Sequence, residues 1–239
     1  MPYCPNCGSE VEEDQKYCPE CGHNMEEGED TQYYGPEEDA VGHLTTAFNL
    51  AMEKPMVFVP TLLGGVISAI IGWIATSLGY TYGRVGFGGF AALSILFGLI
   101  GGFFVYILSF ASIDMGRDAY LNRPLSLGES IGYVLKRIVT FILASIVAVL
   151  MAITVILIPV ISLMFVIMVI DETGITTSLS RAFSLLGAEL RDIIVIILVS
   201  IVGSIIINYV PIISGLLQSA LNVVVNLAFI DMYYRYKRR

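Results

Sequence analysis

Between Arg137 and Asp171 the chain runs for 33 residues, Ile138 to Ile170, without a charged side chain. Comparable apolar runs recur from residue 55 to near the carboxyl end, and the charges are confined between them. A bilayer core about 30 Å thick selects runs of roughly twenty such residues. We read six spans, near residues 55–79, 87–113, 133–153, 155–171, 191–209 and 211–232, and hence an all-α polytopic membrane protein. The middle pair is tight. Its 33 residues are long for one span and short for two, unless the third helix starts early and Lys136 and Arg137 snorkel. Pro159 within the run, and Pro211 before the sixth span, mark breaks between closely connected helices.

Basic residues then orient the bundle. Arg117, Arg123, Lys136 and Arg137 fall between spans two and three, Arg181 and Arg191 between four and five, and Arg235, Lys237, Arg238 and Arg239 in the tail. Only Arg84 falls on the other side. By the positive-inside rule both termini are expected in the cytoplasm, with the protein multi-pass in the cytoplasmic membrane.

All four cysteines lie ahead of the membrane part, as Cys4-Pro5-Asn6-Cys7 and Cys18-Pro19-Glu20-Cys21. Two C-x2-C knuckles aim four thiolates at one point, which is the donor set of a closed, structural Zn2+ site holding one ion. Gly8 and Gly22 follow the knuckles, where a chain turning beneath the sulfurs often needs positive φ. A disulfide reading would require an oxidising compartment. The amino terminus opens polar and turns acidic, unlike a signal peptide, so the ribbon is expected on the cytoplasmic side. With four cysteines present, His23 reads as solvated rather than as a ligand. The expected organisation is a zinc ribbon at 1–23, an acidic flexible linker at 24–40, a membrane domain at 41–232 and a basic cytoplasmic tail at 233–239.

Charge separates these parts sharply. Residues 1–40 hold twelve acidic side chains against Lys16 alone, whereas residues 41–239 hold twelve basic and nine acidic groups. The whole-chain net charge of −8 therefore comes from the head and linker. A nucleic-acid backbone would be repelled by such a head, which excludes it as a partner.

The membrane part shows a threefold internal repetition. Thr45-Thr46-Ala47-Phe48, Gly128-Glu129-Ser130-Ile131-Gly132-Tyr133 and Ser180-Arg181-Ala182-Phe183 each precede a cation, Lys54, Arg137 or Arg191, and then a hairpin. The even spans end in Ile113-Asp114, Ile170-Asp171 and Ile230-Asp231. The pattern reads as three copies of an interfacial amphipathic helix plus two membrane helices. A carboxylate at a helix carboxyl end opposes the macrodipole by about 0.3–1 kcal/mol, so Asp114, Asp171 and Asp231 need compensation. One reading pairs them with cations at the starts of odd spans, or makes them caps for the next interfacial helix. The other gathers them into a cation-binding cytoplasmic mouth.

A second polar pattern is the stripe Ser214, Gln218, Asn222 and Asn226 in the sixth span. Amides facing lipid are costly, so the stripe either glues helices together or lines a hydrated path.

Two resemblances follow from these residues. The cysteine motif resembles the short zinc ribbons at the amino terminus of many archaeal and bacterial proteins. Asp171-Glu172-Thr173-Gly174 with Ser180-Arg181-Ala182-Phe183-Ser184, and the entry segment Phe48 to Pro60, resemble the six-helix membrane domain of glycerophosphoryl diester phosphodiesterase-related proteins. That second resemblance implies a membrane domain with interfacial helices, and no phosphodiesterase activity is carried over.

Enzyme chemistry has little footing. The two histidines, His23 and His43, stand in no recognisable constellation, and the cysteines are assigned to zinc. The expected function is a non-enzymatic membrane scaffold or adaptor whose cytoplasmic ribbon engages a protein partner. The alternative is a ribbon-regulated transporter or channel for a small solute, ion or lipid. The same patterns are compatible with a homo-oligomer.

Overall fold

The computed structural model describes residues 39–82, 87–154, 157–210 and 213–238. The chain divides into two units, Met1–Glu37 and Glu38–Arg239. The described residues belong to the second, and every element among them is helical. In chain order they are α1 (Ala40–Glu53), a 3-10 turn (Pro55–Phe58), α2 (Val59–Tyr82), α3 (Phe87–Tyr120), α4 (Leu127–Lys136), α5 (Ile138–Ala152), α6 (Ile158–Ile170), α7 (Ile175–Ala188), α8 (Leu190–Asn208) and α9 (Ser214–Arg238).

The order has a period: one short helix followed by two apolar ones, three times over. Each short helix begins with local chemistry that its sequence supplies. The Asp39 carboxylate accepts from Gly42 N at 3.0 Å to start α1. Ser126 accepts from Glu129 N at 3.4 Å to start α4, in the S-x-x-E spacing of a capping box. At α7 the cap is Gly174, and the hydroxyls of Thr173 and Ser178 meet across the first turn at 2.8 Å.

Four helices are long and apolar enough to cross a membrane: Pro55–Ala75, Ile95–Tyr120, Leu190–Asn208 and Ser214–Arg238. The α4–α5 pair passes the same test jointly but is bent by 73°, giving up to five. By length and composition the described residues thus give four or five membrane-capable spans, and the expected six are not confirmed. Helix α6, with 13 residues, rises only about 20 Å, short of a bilayer core of about 30 Å. The third span does not start early either. Arg137 breaks the helix and turns back to donate to Met168 O at 3.0 Å and Thr173 O at 2.7 Å instead of snorkelling. At the other end of the chain α9 continues to Arg238, so residues 233–238 are helix.

Small residues set the helix spacing. Helices α2 and α3 run antiparallel, with Gly64 facing Val105 and Leu108, and Gly101 facing Ile71. Gly203 of α8 lies against Leu221 of α9. The buried core sits toward the charged end, where Met115, Leu163, Met164, Ile167, Leu227 and Ile230 are almost fully enclosed. The outer faces of α2, α5 and α8 stay apolar and open, as lipid contact requires: Trp73, Val149 and Leu198 are examples. The α3–α9 seam is close as well. A Cβ on Gly116 would lie 3.0 Å from Ile230 Cδ1 and 3.3 Å from Leu227 Cδ2. We expect Gly116→Leu to destabilise the bundle by roughly 1–3 kcal/mol through overpacking. Thermal unfolding in nanodiscs, with Gly132→Leu as control because a Cβ there meets nothing within 4 Å, measures it.

Candidate functional site: the charged rim and the intramembrane groove

The charged end of the bundle is a rim in which cations close the helix ends. The last four carbonyls of an α-helix lack partners within the helix, and near lipid little water is available to satisfy them. Lys54, which ends α1, donates to Ala119 O at 2.9 Å and Asn122 Oδ1 at 2.6 Å beyond α3. Arg137, which ends α4, does the same for α6. Arg117 adds a bond to Val169 O at 3.1 Å, and the Tyr133 hydroxyl a longer one at 3.3 Å. The Arg117 guanidinium also lies 5.3 Å from the Tyr133 ring centroid.

The three aspartates each have their own counterions. Asp114 is buried and pairs with Arg117 at 2.7 Å, one turn on in the same helix. Asp171 takes Arg181 of α7, Lys237 at 2.9 Å and the Tyr233 hydroxyl of α9. Asp231, fully buried, receives Arg235 Nε at 3.0 Å from both of its oxygens and the Tyr120 hydroxyl at 2.9 Å. His43 Nδ1 of α1 reaches the same carboxylate at 2.6 Å. Among the described residues these pairs share no cation, and no group of three His, Cys, Asp or Glu side chains is placed to hold a metal ion. The expected partners, Lys54 and Arg137, are occupied with carbonyls instead.

Sequence reasoning missed His43. Its helix position gave a signal, because it shares a face with the buried Ala40, Ala47 and Ala51, where a polar ring needs a partner. It also missed Asp192, in the first turn of α8, which accepts from Ala40 N at 3.1 Å and so serves the amino ends of two helices at once. The Ile-Asp dipeptides do not mark the structural register of the repeat. Asn122 and Glu172, both at positive φ (55° and 53°), stand two residues beyond α3 and α6 and are the equivalent positions. Asp114 lies six residues before the end of α3, and Asp171 one residue after α6.

The polar stripe of the last span divides. Gln218 Nε2 donates to Ser204 Oγ of α8 at 3.0 Å, a helix-to-helix tie. Asn222 instead lines a half-open groove of about 210 Å3 between α2, α3 and α9, with Thr61, Gly65, Ser68, Ser109 and Ser219. Ser109, Ser219 and Thr61 return their hydroxyls to carbonyls of their own chain segments. Ser214 starts α9, and Asn226 is half-buried in its middle.

The zinc ligands Cys4, Cys7, Cys18 and Cys21, like His23 and the linker, lie outside the described residues. Residues 3–25 match the zinc-ribbon domain family. No curated protein and no solved structure matches the chain. The family match ends before the membrane part, and nothing found supports a tie to the glycerophosphoryl diester phosphodiesterase-related membrane domains. What stands is a protein whose described residues are helical, with several membrane-capable helices, and which carries an amino-terminal zinc-ribbon domain. Four thiols in two C-x2-C pairs are a donor set that fits Zn2+.

Two outcomes follow from the rim. Replacing Asp231 by Asn leaves Arg235 and His43 without their carboxylate, and we expect a loss of roughly 3–5 kcal/mol in unfolding free energy. Chemical denaturation in nanodiscs reads it. For Asp171, burial alone would raise the carboxyl, but hydrogen bonds from Tyr233, Lys237 and Arg181 and the Lys237 charge hold it below the ordinary value. A lowered folded-state pKa stabilises above the unfolded value of about 4 and is lost as pH falls through the folded value. The thermal midpoint of the native chain should therefore drop on acidification below about pH 4 more steeply than that of Asp171→Asn.

Proposed function

We propose that this protein is a non-enzymatic scaffold of the cytoplasmic membrane that presents one zinc-loaded ribbon, on an acidic linker, to a protein partner. The observation that carries the reading is the fixed root of the linker. Helix α1, which begins directly after it, is bound to the last helix through buried His43 and Asp231 and to α8 through Asp192. A head attached at such a point is tied to the bundle by a helix that packing and hydrogen bonds hold in place. Positive residues gathered at the rim support a cytoplasmic side for both termini. In this reading Cys4, Cys7, Cys18 and Cys21 hold the ion, whose role is to fold the ribbon.

The groove at Asn222 favours a second reading, a transporter or channel for a small solute, ion or lipid. The two are separable. Cys4→Ser with Cys7→Ser should lower bound zinc from one ion per chain to none and abolish crosslinking of the head to its partner in intact membranes. The bundle's thermal midpoint should stay unchanged. Asn222→Leu should leave crosslinking intact. Metal analysis together with in-membrane crosslinking measures both. Retained crosslinking in the zinc-free variant would sink the scaffold reading, and solute flux abolished by Asn222→Leu would establish the other.

A further inference from the structure

Each short helix of the repeat has three distinct faces. Successive residues of an α-helix turn by about 100°, so residues three, four and seven apart share a face. In α1 the buried face is Ala40, Ala47 and Ala51. About 100° around the axis come Val41, Phe48 and Met52, all apolar and open. A similar step further come exposed Asn49 and Glu53.

Helices α4 and α7 repeat the order with the same hand. In α4 the sequence of faces is Ser130 and Val134 buried, Leu135 open, then Glu129 and Lys136 exposed. In α7 it is Ser178, Ala182 and Leu185 buried, Phe183 open, then Thr177 and Ser184 exposed. The middle faces are well uncovered: Phe48 is 53%, Leu135 46% and Phe183 46% exposed.

A helix flanked by protein on one side has two other neighbours at a membrane surface, hydrocarbon below and water above. The apolar faces also continue onto the exposed faces of the adjoining spans. Met52 leads through Met56 to Leu63, Leu135 to Val139 and Ile142, and Phe183 to Leu190 and Ile194, every one of them open. The 73° bend between α4 and α5 suits a helix in the membrane plane that feeds one crossing it.

We propose that α1, α4 and α7 form a collar sunk into the headgroup layer of one leaflet, with the lipid of that leaflet covering the Phe48, Leu135 and Phe183 faces. Such helices bury their apolar side about 5–10 Å into the boundary with the acyl chains. The collar places Asp39, the root of the linker, at headgroup depth. It stands whether or not the ribbon recruits a protein.

The test is depth. Single cysteines are introduced at Phe48, Leu135 and Phe183, and at Asn49, Lys136 and Ser184, in the full zinc-loaded chain. Each is spin-labelled in vesicles of phosphatidylethanolamine and phosphatidylglycerol, with labelling of the parent chain as the blank. Labels at the first three positions should collide several-fold more often with oxygen than with an aqueous nickel chelate, and the other three should show the reverse. Equal nickel access on both faces would overturn the collar by placing it in water. Labels at Phe48, Leu135 and Phe183 shielded from both reagents would also overturn it, by showing that a protein surface, such as a second copy, covers that face.

Discussion

Helix ends that emerge where water is scarce must find donors, and this requirement organises the charged end of the bundle. The carbonyls closing α3 and α6 receive Lys54, Arg117, Arg137 and Tyr133. Two of these donors end the short helix that precedes the same hairpin. The short helix is therefore a lever as well as a spacer, because it holds a cation over the exit of a helix that comes later in the chain. Cations near helix carboxyl ends also suit the macrodipole, so hydrogen bonding and field act in the same direction.

The third unit solves the problem differently, and that difference makes α9 the hub. Its last two turns supply Asp231, Tyr233, Tyr234 and Arg235 to other elements or to each other. Tyr234 stacks on Tyr120 with centroids 4.9 Å apart, Tyr233 reaches Asp171, and Asp231 takes His43. A buried carboxylate is tolerable only when paired and hydrogen-bonded, and Asp231 has a cation, a phenol and an imidazole around it. First and last helices of the bundle are thereby joined through one residue. The end of the chain reads in sequence as a basic tail, yet in the structure Tyr233 is buried and Tyr234 stacks inward on Tyr120.

Much of the architecture was legible because it depends on composition. Apolar runs bounded by charges locate the membrane helices, with ends off by up to seven residues at α3, and the repetition of short helix plus hairpin survives in the element order. Span number was not legible, because an apolar run records what is greasy and not where Arg137 bends back. Pairing was illegible for a related reason. Asp171 finds Arg181 and Lys237 across 10 and 66 residues of sequence, distances at which local pattern carries no information. The Ile-Asp dipeptides misled the register because aspartate is placed by its partner, whereas the left-handed residues Asn122 and Glu172 are placed by where the helix stops. The sixth-span stripe looked uniform at a spacing of four, but helix neighbours divide it: Gln218 meets α8 and Asn222 opens on a groove.

Charge divides the chain as sharply as apolar pattern does. Residues 1–40 carry a balance of −11, and the rest of the chain is weakly basic. A leaflet rich in anionic lipid would attract the rim cations, an effect that fades over a Debye length of about 8 Å at physiological salt. A protein that bound the acidic residues 1–40 would need to present positive charge, and the salt dependence of that association would follow from the same screening.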